Sequence, residues 1–137
     1  MDIPDDFHSL LSSTAVAVIS TIGRNGEPQA TPTWFMFEAD RLKFSLVDGR
    51  QKLINLRRDA RVSVLVIDPA RPTYYVELRG RVALIDDPEA ALERAVSTKY
   101  TGDWADGESP GTMRYAAILD VERVTSQKGH VTPATGG

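Results

Sequence analysis

One stretch of this 137-residue chain gathers the residue types that bind an anion: Val47-Asp48-Gly49-Arg50-Gln51-Lys52-Leu53-Ile54-Asn55-Leu56-Arg57-Arg58-Asp59. An alternating run ends at Val47, a glycine turn follows, and an amphipathic segment opens with Arg50, Gln51 and Lys52. The first N–H groups of a helix have no acceptor within it and carry partial positive charge. A helix start beside two cations is therefore suited to a phosphate group. Asn55 lies one turn beyond Lys52, so the spacing predicts that both face the same ligand. The competing account is a solvated helix end whose arginines pair with acids. On residue types alone, that account is slightly the simpler one.

Other chemistries lack their residues. The two histidines, His8 and His130, stand near opposite ends of the chain, and neither belongs to a His-Glu-x-x-His or serine–acid pattern. The nineteen carboxylates contain no pair that stands out as acid and base. Asp86-Asp87, just before Pro88, read as charges at a helix N-terminus. There is no G-x-G-x-x-G and no Walker sequence. Cysteine is absent, which excludes disulfides, thiolate metal sites and a thiol nucleophile. No catalytic side chain and no metal site is assigned.

Composition places the chain among ordinary globular domains. It is 42% hydrophobic and 26% charged, with a formal net charge of −3. That charge supplies no overall positive field for nucleic acid. The longest apolar run, Ala15 to Ile19, is far short of the ~20 residues that span a bilayer. The acidic start, Met1-Asp2-Ile3-Pro4-Asp5-Asp6, is unlike a secretory signal. These features and the lack of cysteine lead us to expect a cytoplasmic protein with neither membrane nor nucleic-acid partners.

The elements that must position the anion site follow from periodicity. A short helix is expected over Ile3–Leu11 and a strand over Ala15–Ile22. Asn25-Gly26 is a hairpin turn, and Gln29–Phe37 is the return strand. Pro32 within that strand signals an edge, a bulge or a nearby ligand. Alternation puts Phe35 and Phe37 on one face and Trp34 on the other. Arg41–Val47 alternates cleanly, with Leu42, Phe44 and Leu46 opposite Lys43, Ser45 and Val47. A short helix over Gln51–Arg58 and a strand over Val62–Ile67 follow. Tyr74–Ile85 is a long strand bent at Gly80. A helix over Pro88–Tyr100 opens with Pro88 in its first turn. A polar loop over Thr101–Gly111 carries Trp104, placed either to cap a substrate pocket or to pin the loop. Tyr115–Val124 is the last strand. The expected fold is one mainly β domain over residues 1–126, a six-stranded antiparallel split β-barrel with short helices, followed by a frayed tail over 127–137.

The run Lys52-x-x-Asn55-Leu56-Arg57-Arg58-Asp59-x-Arg61-Val62 resembles the signature of the split-barrel flavin and deazaflavin reductases, the pyridoxamine-phosphate-oxidase-like superfamily. Ser20-Thr21-Ile22, Gly26-x-Pro28-Gln29, Pro32-x-Trp34-Phe35 and Glu77-Leu78-x-Gly80-Arg81-Val82 fall in matching order. Thr98-Lys99-Tyr100 before Trp104 looks like the branch that uses coenzyme F-420, a deazaflavin. The resemblance spans roughly Leu10 to Val124.

It implies a homodimer with cofactor sites at its interface. The cofactor phosphate would sit on Arg50 and Lys52 with Gln51 or Asn55. The ring would lie near Thr31, Pro32, Thr33 and Trp34, and near Ser45 and Val47. Tyr74, or a residue near it, would approach from the partner chain. Arg57, Arg58 and Arg61 would either grip the oligoglutamate tail of F-420 or serve as ion-paired surface groups. The implied activity is hydride transfer from reduced F-420 to a small unsaturated substrate. The alternatives are an FMN-binding oxidase or electron-transfer protein and a non-catalytic cofactor carrier or sensor. Haem is disfavoured, since neither histidine stands near the expected pocket.

Overall fold

The computed structural model describes residues 2–103 and 112–128. A 3-10 turn over Asp5–Phe7 leads into helix α1, His8–Leu11. Then come β1 (Ala17–Ile22), β2 (Pro28–Thr33), β3 (Met36–Glu38), β4 (Arg41–Val47) and α2 (Gln51–Arg58). The chain continues through β5 (Arg61–Asp68), β6 (Arg71–Asp86), α3 (Ala91–Thr101) and β7 (Arg114–Lys128). All pairings are antiparallel, in the order β2-β1-β5-β6-β7-β4-β3.

That order explains why the sheet curls. Its two edges, β2 and β3, are neighbours in sequence and are joined only by Trp34 and Phe35. So short a link forces the edges together, and the sheet becomes a barrel with a seam at Trp34-Phe35. The expected six strands are therefore seven, because the run Gln29–Phe37 breaks at this seam. Pro32 has its explanation here: it pairs only with Val18 of β1, so its missing N–H faces no second strand.

Period-2 patterning fills the barrel. Leu42, Phe44 and Leu46 of β4 are buried, as are Ala17 and Ile19 of β1 and Val62, Val64 and Val66 of β5. Phe7 and Leu11 close one end, and Leu53 and Leu56 of α2 join the same core. Each large apolar side chain so buried contributes about 1.5–3 kcal/mol. Phe35 is fully buried, Phe37 packs at the core's margin and Trp34 is 41% exposed, as the alternation predicts.

Two of the expected boundaries move. Helix α3 starts at Ala91, not Pro88, because the Asp87 carboxylate accepts hydrogen bonds from the Ala91 and Leu92 N–H groups at 2.9 and 3.0 Å. Ala90, with φ of +57°, makes the turn into it. Strand β7 runs to Lys128, with Gln127 and Lys128 paired to Tyr75 and Tyr74, so the strand passes beyond 126. Trp104 and His130 lie outside the described residues. No helix among the described residues is long and apolar enough to cross a membrane.

Candidate functional site

Helix α2 begins where β4 ends. Gly49, with φ of +89°, turns the chain, and Arg50 enters the helix without a side-chain cap. The first N–H groups of α2 thus point outward unsatisfied by the helix itself. Lys52 reaches across to β2, where its Nζ donates to Thr31 Oγ1 at 3.4 Å. Burial and the nearby Arg50 guanidinium both lower its pKa. No described carboxylate lies within ion-pair distance of Lys52.

A cleft of about 350 Å³ opens over this corner, lined by Gln29, Thr31, Ser45, Leu46, Val47, Arg50, Gln51 and Lys52. A second cleft of about 430 Å³ continues along the barrel wall past Pro32, Thr33 and Trp34, with Val16, Glu93 and Val96 opposite. Ser45 lines both, so the two form one groove with a cationic end and an aromatic end. The Ser45 hydroxyl is buried and has no hydrogen-bond partner among the described residues. An unpaired hydroxyl of this kind costs about 1–3 kcal/mol. Its place in the middle of the groove, between two cations and an indole, fits a ligand with an anionic arm and a polar-edged ring.

Nine of the eleven expected site residues line this groove: Thr31, Pro32, Thr33, Trp34, Ser45, Val47, Arg50, Gln51 and Lys52. Asn55 does not line it. It is 1% exposed and lies beneath the floor of the groove. Its Nδ2 donates to Thr21 Oγ1 at 3.0 Å and Gln29 Oε1 at 3.1 Å. Its Oδ1 accepts from Gln51 Nε2 at 2.8 Å and Arg58 Nη2 at 3.3 Å. The amide is fully engaged in tying α2 to β1 and β2, which fixes the direction of Lys52. Asn55→Leu should cost about 1–3 kcal/mol, since Thr21 and Gln29 lose their partner. A urea midpoint that stays at the wild-type value would refute this structural role.

Tyr74 also stands apart from the groove of its own chain. Its hydroxyl donates to the Asp6 carbonyl at 2.8 Å, and its ring packs 5.4 Å from that of Phe7. The other arginines of the signature have local partners. Arg57 pairs with Asp48 at 3.6 Å and lies over the Tyr115 ring. Arg58 donates to the Ile22 carbonyl at 3.2 Å. Arg61 chelates Asp59, whose carboxyl it holds down at about 2.

Glu93 and Val96 are groove residues that sequence reasoning missed. They are three apart on one face of α3, a spacing that marks the face but not what it packs against. Glu93 Oε2 lies 3.7 Å from Nη1 of the buried Arg114. No group of potential metal ligands occurs among the described residues.

The chain is similar to solved structures along most of its length. One, an F-420 reductase, is 27% identical, with a TM-score of 0.83 over 91% of this chain and 100% of that one. A conserved hypothetical protein from Mycobacterium tuberculosis is 24% identical, with a TM-score of 0.77 over 98% of this chain and 95% of the other. A protein of unknown function from Agrobacterium tumefaciens is 23% identical, with a TM-score of 0.71 over 96% of this chain and 61% of that one. These last two share the fold. The family model described as pyridoxamine 5'-phosphate oxidase matches residues 3–128, nearly the whole of the described barrel, and the chain belongs to that family of flavin-related oxidoreductases.

Proposed function

We propose that this protein is a coenzyme F-420-dependent reductase that transfers a hydride from the reduced deazaflavin to a small unsaturated organic substrate. The observation that carries the reading is the single groove, cationic at Arg50 and Lys52, aromatic at Trp34, with the unpartnered Ser45 hydroxyl between them. The likeness to an F-420 reductase adds support. The anionic arm belongs at Arg50, Gln51 and Lys52. The ring belongs along Thr31, Pro32, Thr33, Trp34, Ser45 and Val47.

When bound, the deazaflavin supplies the hydride chemistry. The chain's residues bind and orient. Lys52 and Arg50 neutralise the anionic arm, Ser45 offers a donor and acceptor to a ring edge, and Trp34 with Val16 and Val96 excludes water. Positioning of this kind can lower a barrier by roughly 7–11 kcal/mol at best. Completing the reduction also takes a proton, which solvent would supply after the hydride transfer; the one acid among the described groove residues, Glu93, lies beside an arginine.

Membership of the pyridoxamine 5'-phosphate oxidase family favours a second reading, FMN in the same groove of an oxidase or electron-transfer protein. Side-by-side fluorescence titrations of the purified protein with F-420 and with FMN separate the two. The first reading expects F-420 to bind the more tightly. Tighter FMN binding, or a yellow flavin-loaded preparation, would replace it with the second. Tight F-420 binding with no turnover across a panel of ketones and enones would leave a carrier or sensor.

The same reading includes a homodimer. Val18, Leu65, Ile67 and Tyr75 point away from the core on β1, β5 and β6 and remain partly exposed, and Val16 is 44% exposed. Such a face supports self-association, with Tyr74 or a residue near it reaching the partner's groove. Sedimentation should give twice the chain mass, and Leu65→Glu should halve it. A monomeric wild-type protein would remove the dimer.

A further inference from the structure

The seam between β2 and β3 is closed by one turn of α3. Lys99 Nζ donates to the Phe35 carbonyl at 2.9 Å and lies 3.5 Å from the Leu11 carbonyl. It sits 4.0 Å above the Phe35 ring and 4.8 Å from the centre of the Tyr100 ring. Tyr100 donates from its hydroxyl to the Ala15 carbonyl at 2.6 Å, just before β1. Its ring stacks on Trp34 at 4.9 Å and 5°. These two side chains thus grip both residues of the link that joins the edges of the sheet. They also touch the last residue of α1, Leu11, and Ala15 just before β1.

We propose that Lys99 and Tyr100 are positioning residues that hold the Trp34-Phe35 seam shut and set Trp34 as the wall of the aromatic end of the groove. This inference rests on the reading that the groove binds a ring-bearing cofactor. Trp34 is 41% exposed and has no core to hold it. Its indole is ordered by the Tyr100 stack, an interaction with its own energy beyond burial. The link carbonyl of Phe35 would be unpaired inside the seam without an ammonium to donate to it. Holding a half-buried lysine here is costly: burial alone brings its pKa down to about 8. No described carboxylate lies within ion-pair distance to offset that cost. What offsets that cost is the bond to the Phe35 carbonyl, which the ammonium fixes beside the groove.

The test reads Trp34 directly. In a Trp104→Phe background Trp34 is the only tryptophan, since the chain has two. Acrylamide quenching of its emission is compared among Tyr100→Leu, Tyr100→Phe, Lys99→Met and Lys99→Arg, first without cofactor and then with F-420 or FMN added. Tyr100→Leu and Lys99→Met should raise quenching and weaken cofactor binding by roughly threefold to tenfold. Tyr100→Phe, which keeps the stack, and Lys99→Arg, which keeps a cationic donor, should stay near the parent. If Lys99→Met fails to fold, Tyr100→Leu decides alone. Unchanged quenching in Tyr100→Leu would overturn the proposal, and so would released Trp34 with unchanged cofactor affinity. If the parent binds neither cofactor, the functional reading fails instead, and the quenching series without ligand still decides whether the seam positions Trp34.

Discussion

Lys52→Ala should weaken coenzyme F-420 binding by about 10- to 150-fold, the loss expected when a charge-assisted hydrogen bond worth about 1.5–3 kcal/mol is removed. The expectation rests on where Lys52 sits. It is half-buried, oriented by Thr31 across the groove, and has no described acidic partner to neutralise it. Arg50, by contrast, is exposed, so Arg50→Ala should cost less. The depressed pKa of Lys52 adds a second, independent readout. An anionic ligand favours the protonated amine, so binding takes up a proton wherever free Lys52 is deprotonated. Affinity should therefore fall as pH rises through the lowered pKa of Lys52. Lys52→Arg, with a guanidinium that stays charged, should push that fall to higher pH. Salt should weaken binding in wild type more than in Lys52→Ala. Titrations read all three. Equal affinity of wild type and Lys52→Ala at low salt would remove the anionic arm from this corner.

How legible this corner was in the sequence depended on the range of the forces that build it. The alternation of β4 and the glycine turn at Gly49 are local, and they placed Ser45, Val47, Arg50 and Lys52 correctly on one surface. Asn55 shows the limit of the local argument. Its spacing from Lys52 is right for a shared helix face, yet Thr21 and Gln29, far earlier in the chain, draw its amide beneath the floor. The seam was hidden for the same reason. Residues 29–37 read as one strand by composition, and only the sheet order, with β2 and β3 at opposite edges, requires the break at Trp34-Phe35. Pro32 was the one residue that hinted at it. Glu93 and Val96 reach the groove because α3 packs over it, which is tertiary information that no spacing within α3 contains.

The largest stability effect should come from Gly80→Ala, at about 3 kcal/mol or more. Strand β6 must serve β5 along one edge and β7 along the other, and it does so by bending at a register shift between Arg79 and Gly80. Opposite them, Arg79 pairs with Arg123 and Gly80 with Val121, so Glu122 of β7 is the extra residue of a bulge. A Cβ at Gly80 would come within 1.9 Å of the Asp120 carbonyl oxygen and 3.2 Å of the Glu122 nitrogen. Both are backbone atoms of a paired strand, so no side chain can swing aside to relieve the clash. The useful contrast is Gly26→Ala. Gly26 sits in the β1–β2 turn with φ of +84°, and a methyl group there would meet nothing within 4 Å. Only the left-handed backbone resists the change, at about 1–2 kcal/mol. Denaturant midpoints of the two variants separate steric exclusion from backbone preference, and equal midpoints would show the bulge to be pliable. The consequence reaches the groove as well. Strand β7 pairs directly with β4, setting Ala116 opposite Ser45 and Arg114 opposite Val47. A bulge forced open at Gly80 would shift β7, and with it the wall that carries Ser45. Any folded fraction of Gly80→Ala should therefore bind cofactor more weakly than Gly26→Ala does.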